Sequence, residues 1–312
     1  MVKHRYTLTL IEQHREQLRD YCERRLWESF AVDYAWFAFK NKAEKVTVIA
    51  YQSGKVVIAG KGTEAFVLNV LETEISGEPQ MGYEAVHHPE WFEEHAGLDE
   101  AGKGDLFGPL VCATVIAGED AVRQWLEAGV GDSKKIADKR ILALEKIIRQ
   151  TPGVVIETAS CGMARYNALM ARPNANLNKL LGWLHARALD DALQKKLVPW
   201  GLLDRFSRRP IVQEYLKTPN FDLQMRTKAE SDPVVAAASI VARAGFIRAM
   251  ETLSRRYGEP LLKGASAQVK HQGQALVHKL GATALGDFAK MHFKTAREIL
   301  AMCGRGSVQS QD

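Results

Sequence analysis

Residues 95–117, HAGLDEAGKGDLFGPLVCATVIA, constrain the fold more than any other stretch. Two apolar runs, 95–100 and 107–117, read as strands, and Asp99-Glu100 close the first of them. Gly102, Gly104 and Gly108 leave the connection nearly free of side-chain bulk. Adjacent carboxylates at a strand end suit hard divalent cations, and backbone N–H groups in a glycine-rich turn can approach a phosphate. An acid pair before a glycine turn also describes an ordinary solvated hairpin, so the choice rests on the rest of the chain.

Residues 1–76 read as a small α+β domain. Tyr6–Leu10 alternates as a strand, and Glu12–Phe30 has helical apolar spacing. Tyr34–Phe39, Lys45–Tyr51 and Lys55–Ala59 read as strands, the last two joined by a hairpin at Gln52-Ser53-Gly54. A helix over Thr63–Glu74 closes the unit. Tyr34, Trp36 and Phe37 are expected in its core, with stacking on bases as the alternative. Residues 77–94, with Gly77, Pro79, Gly82 and Pro89, read as a linker.

A second domain is expected over 95–303. Helices are predicted at 119–128, 136–150, 176–197 and 233–256, with strands at 153–160, 200–204 and 221–227. Ser231 and Asp232 are cap candidates ahead of Pro233. This order predicts an α/β fold, a mixed sheet flanked by helices. Residues 304–312 are polar and expected to be a disordered tail.

Composition narrows the class. A hydrophobic share of 46% and a charged share of 25% are ordinary for a globular protein. No run reads as a membrane span and no secretory signal is expected at the start. The four cysteines lie far apart without a CxxC pair, which suits reduced thiols in a cytoplasmic protein. Residues 1–61 carry eleven Lys/Arg against seven Asp/Glu, whereas 62–94 carry eight Glu and no Lys or Arg. Basic blocks around an acidic spacer suit a polyanionic partner, and they also describe solvated faces of differing charge.

Two more acids stand at element ends. Asp204 finishes the apolar run GLLD, and Glu230 lies between a strand and a helix rich in small residues. In α/β sheets functional groups collect at strand ends. If the strands ending at Asp99 and Asp204 are neighbours, Asp99, Glu100, Asp204 and Glu230 converge. Singly, Asp204 can cap a turn and Glu230 can complement a helix dipole. Together, four carboxylates repel one another unless cations intervene. Two Mg²⁺ or Mn²⁺ ions would neutralise them, activate a water and stabilise the oxygen leaving a phosphodiester. Lys103, Ser133 and Lys134 are candidate phosphate contacts beside Gly102 and Gly104, and Lys3, Arg5, Lys55 and Lys61 are candidates on the N-terminal sheet.

DEAGKGDLFGPLV at 99–111, GDSKKIADKR at 131–140, LLD at 202–204 and KAESDPVVAAASIVAR at 228–243 resemble the type 2 ribonucleases H. The resemblance is nearer to ribonuclease HIII than to ribonuclease HII. The fourth acid is Glu230 in KAE, Ala265 follows Lys263-Gly264 where ribonuclease HII carries a tyrosine, and SGKVVIAGKG at 53–62 is similar to the TATA-box-binding-protein-like domain of ribonuclease HIII. The resemblance implies a ribonuclease H-like catalytic domain with Asp99, Glu100, Asp204 and Glu230 as metal-binding catalytic residues. It further implies endonucleolytic cleavage of the RNA strand of RNA/DNA hybrids, leaving 5′-phosphate and 3′-hydroxyl ends, with Gly102, Lys103 and Gly104 against the substrate. Lys103 departs from the arginine or threonine usual there, which leaves cleavage at single embedded ribonucleotides open as an alternative. A non-catalytic hybrid-binding protein is a third reading, and no acid is missing to favour it. A monomer without membrane contact is expected.

Overall fold

The computed structural model describes residues 4–78, 84–131 and 133–306. It divides into two compact units, Met1–Glu90 and Trp91–Asp312.

The first unit runs β1 (Arg5–Thr9), α1 (Glu12–Arg24), β2 (Glu28–Ser29), β3 (Ala35–Asn41), β4 (Val46–Tyr51) and β5 (Lys55–Ala59). It continues through α2 (Thr63–Phe66), a π-helical stretch Val67–Ser76 and α3 (Glu84–His87). The strands form an antiparallel sheet in the order β1-β5-β4-β3-β2. Leu18 and Cys22 of α1 and Val67, Leu71 and Ile75 of the π-helical stretch pack with Val48, Val56 and Ile58 of the sheet. Helix α1 ends at Arg24 rather than Phe30. Leu26 takes φ +53°, and the chain turns back so that Glu28 pairs with Lys40. Of the three aromatics expected in the core, Phe37 is buried, but Tyr34 is 83% exposed. Trp36 lies at the surface, where the guanidinium groups of Arg15 and Arg19 each stand over its ring, 5.2 Å from the centroid. The expected linker contains α3 and a short 3-10 turn, Pro89–Phe92; Pro79 and Gly82 fall outside the described residues.

The second unit runs β6 (His95–Ala101), β7 (Leu110–Ala117), α4 (Glu119–Ala128), α5 (Asp138–Gln150), β8 (Val155–Cys161), α6 (Met163–Met170) and α7 (Leu177–Leu193). Then come β9 (Trp200–Asp204), β10 (Asp222–Arg226), α8 (Pro233–Tyr257), α9 (Ala267–Leu280), α10 (Leu285–Phe288) and α11 (Lys294–Gly306). The sheet order is β10-β9-β6-β7-β8. Strand β7 pairs antiparallel with both β6 and β8, whereas β9 joins β6 and β10 joins β9 in parallel. Helix α11 takes in the first three residues of the expected tail; the rest lie outside the described residues.

Every residue of β7 is buried, because helices cover both faces. Val111, Ala113 and Val115 face α8, while Leu110 and Cys112 face α7. Such alternation is the two-residue period of a strand, and each fully buried aliphatic chain contributes on the order of 1.5–3 kcal/mol. The small residues of α8 let it lie close to β6: a Cβ on Gly97 would stand 2.4 Å from the backbone carbon of Val234. By length and composition α8 meets the criterion for a membrane span, which the sequence reading missed. Its most apolar stretch is 78% buried inside the protein, as a core helix is.

Candidate active site

The parallel register of β6 with β9 pairs Gly97 with Leu202 and Leu98 with Leu203. One step further along both strands, Asp99 stands beside Asp204. Gly97 and Leu202 face α8 and its approach, so the period of two turns both carboxylates to that same face. Glu100, the next residue, points to the opposite face and meets α7. The acid pair thus splits across the end of one strand and draws on both helical layers.

Asp99 is 7% exposed. Burial, together with the neighbouring charges of Glu100 and Asp204, pushes its carboxyl up to about 7, despite hydrogen bonds from Ser239 and from the Glu100 amide. The Glu100 N–H donates to Asp99 Oδ1 at 2.8 Å. Ser239, on α8, is itself 2.7 Å from the buried hydroxyl of Ser133. The 3-10 turn Ser133–Lys135 is thereby tied to the acid it flanks.

Glu100 has a different surrounding. Burial alone would raise its pKa, but the hydrogen bond and charge of His185 and the charge of Lys103 outweigh it and hold it low. His185 Nε2 lies 3.1 Å from Glu100 Oε2, and its Nδ1 is buried with no hydrogen-bond partner among the described residues. That geometry makes Nε2 the donor to the Glu100 carboxylate. Phe206 stacks on the imidazole at 5.4 Å. Lys103 Nζ reaches Glu100 Oε1 at 3.5 Å and lies 5.3 Å from the centre of the Phe206 ring.

Asp204 Oδ1 accepts from the Ala229 amide at 3.1 Å. That bond brings the 3-10 turn Ala229–Ser231, and with it Glu230, next to Asp204. One carboxylate oxygen of Glu230 is buried with no partner among the described residues. The turn is anchored from behind by Asp232, which caps α8 by accepting from Val234 at 2.7 Å and Val235 at 3.3 Å. Asp232 also meets the buried ring of His95 at 3.2 Å, so His95 is structural, not a ligand.

A cleft of about 450 Å³ opens over these groups. Asp99, Glu100 and Asp204 line it, as do the predicted contacts Gly102, Lys103, Gly104, Ser133 and Lys134. Glu230 is not among the described lining residues. Lys55 and Lys61 are exposed on the other unit; Lys3 and Asp132 fall outside the described residues. Arg205, Phe206, Ser239, Arg243 and Lys263 also line the cleft, so cations border the acids, with Arg243 and Lys263 paired to Asp138. Gly102 sits at φ +87°, and a Cβ there would meet the Pro109 carbonyl oxygen at 2.2 Å. Gly104 has open space around its Cβ position, so packing does not require glycine there and a ligand backbone can come close.

Among the described residues no three His, Cys, Asp or Glu side chains already stand at metal-ligating spacing. The cause is visible in their partners: Glu100 is turned to His185 and Lys103, and Asp204 to an amide. The donor chemistry nonetheless fits a hard cation, since carboxylate oxygens from separate elements face one cleft.

The ribonuclease HII family model matches residues 96–296, a span that includes all four acids and the glycine turn. Ribonuclease HIII of Chlamydia trachomatis serovar L2 is 38% identical over 84% of this chain and 87% of its own. Ribonuclease HIII of Chlamydia muridarum is 38% identical over 84% of this chain and 86% of its own. The chain belongs to the ribonuclease HIII family. The solved structure of Bst-RNase HIII in complex with Mn²⁺ superposes with a TM-score of 0.65 at 29% identity, covering 96% of this chain and 99% of the other. The likeness to that family member therefore extends over both units, including the small N-terminal sheet.

Proposed function

We propose that this chain cleaves the RNA strand of RNA/DNA hybrids endonucleolytically, leaving 5′-phosphate and 3′-hydroxyl ends, with Mg²⁺ or Mn²⁺ bound at its acidic cleft. The observation that carries this is the parallel β6–β9 register, which stands Asp99 beside Asp204 at the floor of a cation-rimmed cleft. Asp99, Glu100, Asp204 and Glu230 would hold two divalent ions. The chemistry such ions supply when bound is activation of a water and stabilisation of the departing 3′-oxygen.

The chain's own residues do the rest. Ser239 orients the Asp99 carboxylate, and His185 fixes Glu100 from the far face of the sheet. Lys103, Lys134, Arg243 and Lys263 face the cleft and offer charge to phosphates on either side of the scissile bond. Gly104 leaves room for the substrate backbone and its 2′-hydroxyls. The Gly264 amide donates to Asp105 at 2.5 Å, which brings segment 263–265 up to the glycine turn. Ala265 presents only a methyl group there, which favours extended hybrid over a single ribonucleotide junction. The N-terminal unit, through Lys55 and Lys61, adds phosphate contacts. A monomer in a reducing cytoplasm suits the free cysteines.

Paired substrates test the reading. A uniform RNA/DNA hybrid should be cut at internal RNA positions with 3′-hydroxyl products in Mg²⁺ or Mn²⁺, and a DNA duplex with one embedded ribonucleotide should be cut far more slowly. Preferred cleavage of the second substrate would replace the hybrid assignment.

A further inference from the structure

Lys290 is completely buried, yet it lies outside the acidic cleft. Its ammonium donates to two backbone carbonyls, Asp105 at 2.8 Å and Gly108 at 2.5 Å. Both belong to the turn between β6 and β7 that begins with Gly102-Lys103-Gly104. Burial lowers its pKa to about 8, against the opposing charge of Asp105. The rings of Tyr166 and Phe293 lie 5.7 and 6.0 Å from the ammonium. A methionine of similar length would fill this space without the desolvation cost of a buried ammonium. The same turn already has backbone anchors: Lys290 N–H donates to Leu106 at 2.8 Å, and Gly108 N–H donates to Phe288 at 3.0 Å. Those bonds hold the segment in place. They leave the carbonyls of Asp105 and Gly108 to be aimed by something else.

We propose that Lys290 is a positioning residue which, by drawing the Asp105 and Gly108 carbonyls inward, holds the glycine turn in the shape that receives the substrate backbone. This rests on the hybrid-cleavage reading for its consequence, though not for its geometry. Lys290 bonds to none of the four acids and does not itself line the cleft; it acts through the turn, whose Asp105 does line it.

The test compares the full chain with K290M, K290R and K290Q. Amide hydrogen exchange over 102–108 is measured alongside kcat and KM on a uniform hybrid. In K290M, exchange at these amides should rise at least tenfold, kcat should fall about tenfold or more, and the thermal transition should stay cooperative. K290R, which keeps charge and donors, should recover part of both. If K290M does not fold, K290Q, which is shorter, uncharged and brings a carbonyl oxygen toward the two backbone carbonyls, carries the same comparison. Unchanged exchange in a folded variant overturns the proposal. So does a loosened turn with kcat per folded molecule within twofold of wild type. An inactive wild type whose turn still loosens in K290M would instead count against the hybrid-cleavage reading, because exchange reports the staple without catalysis.

Discussion

Asp99, a proposed metal ligand, is buried at a cost to stability. Its carboxyl is pushed from the usual value of 3.8 up to about 7 by burial and by Glu100. An acid raised in the folded state keeps its proton while the unfolded chain loses one, so folding loses stability as pH rises from about 4 to 7. In metal-free buffer D99N should therefore be more stable than wild type at pH 8, by on the order of 2–4 kcal/mol. That gain should shrink toward zero near pH 4; denaturant melts at the two pH values check it. Adding Mn²⁺ at pH 8 should raise the melting temperature of wild type and leave that of D99N nearly unchanged. Other residues at this scale were invisible in the sequence for a definite reason. His185 and Ser239 are single polar groups in helical stripes of apolar and small residues, where a satisfied core position looks identical. Lys290, in the run AKMHFK, reads as a solvated cation and is in fact buried.

At the scale of elements, the strand ends were legible. GLLD predicted a strand finishing at Asp204, and β9 is Trp200–Asp204. Helix α4 has the predicted bounds, with an αL glycine at Gly129 ending it. Pairing partners were not legible: the sequence only made the β6–β9 neighbourhood a condition, and the register decides it. Helices α6, α9, α10 and α11 were not predicted, although α11 carries a regular apolar stripe, Ala296, Ile299, Leu300 and Cys303. Two glycines separate packing from binding. G97A should cost about 1–3 kcal/mol, since its Cβ meets the α8 backbone, and it should lower activity by moving Ser239. G104A should change stability by less than about 0.5 kcal/mol, while raising KM for hybrid. Melting and steady-state kinetics on both variants check the contrast.

Across the whole molecule, the two units differ in the chemistry they expose. One carries a cleft of acids rimmed by cations; the other is a five-stranded antiparallel sheet with exposed Lys55 and Lys61. Each has its own core, so removing residues 1–85 should leave the catalytic unit folded. Hybrid affinity should fall and the slope of log affinity against log salt should become shallower; an unchanged affinity and slope would contradict a phosphate-binding role for the first unit. The sequence placed the linker over 77–94 from Gly77, Pro79, Gly82 and Pro89, and the two compact units meet at Glu90 and Trp91. The central claim is that acids from separate strands work as one centre, and a double-mutant cycle on hybrid cleavage in Mn²⁺ tests it most directly. D99N and D204N should each lower kcat by about a thousandfold or more, with the double variant no slower than either alone. Cleavage by D204N at close to the wild-type rate, or losses that simply multiply, would contradict it.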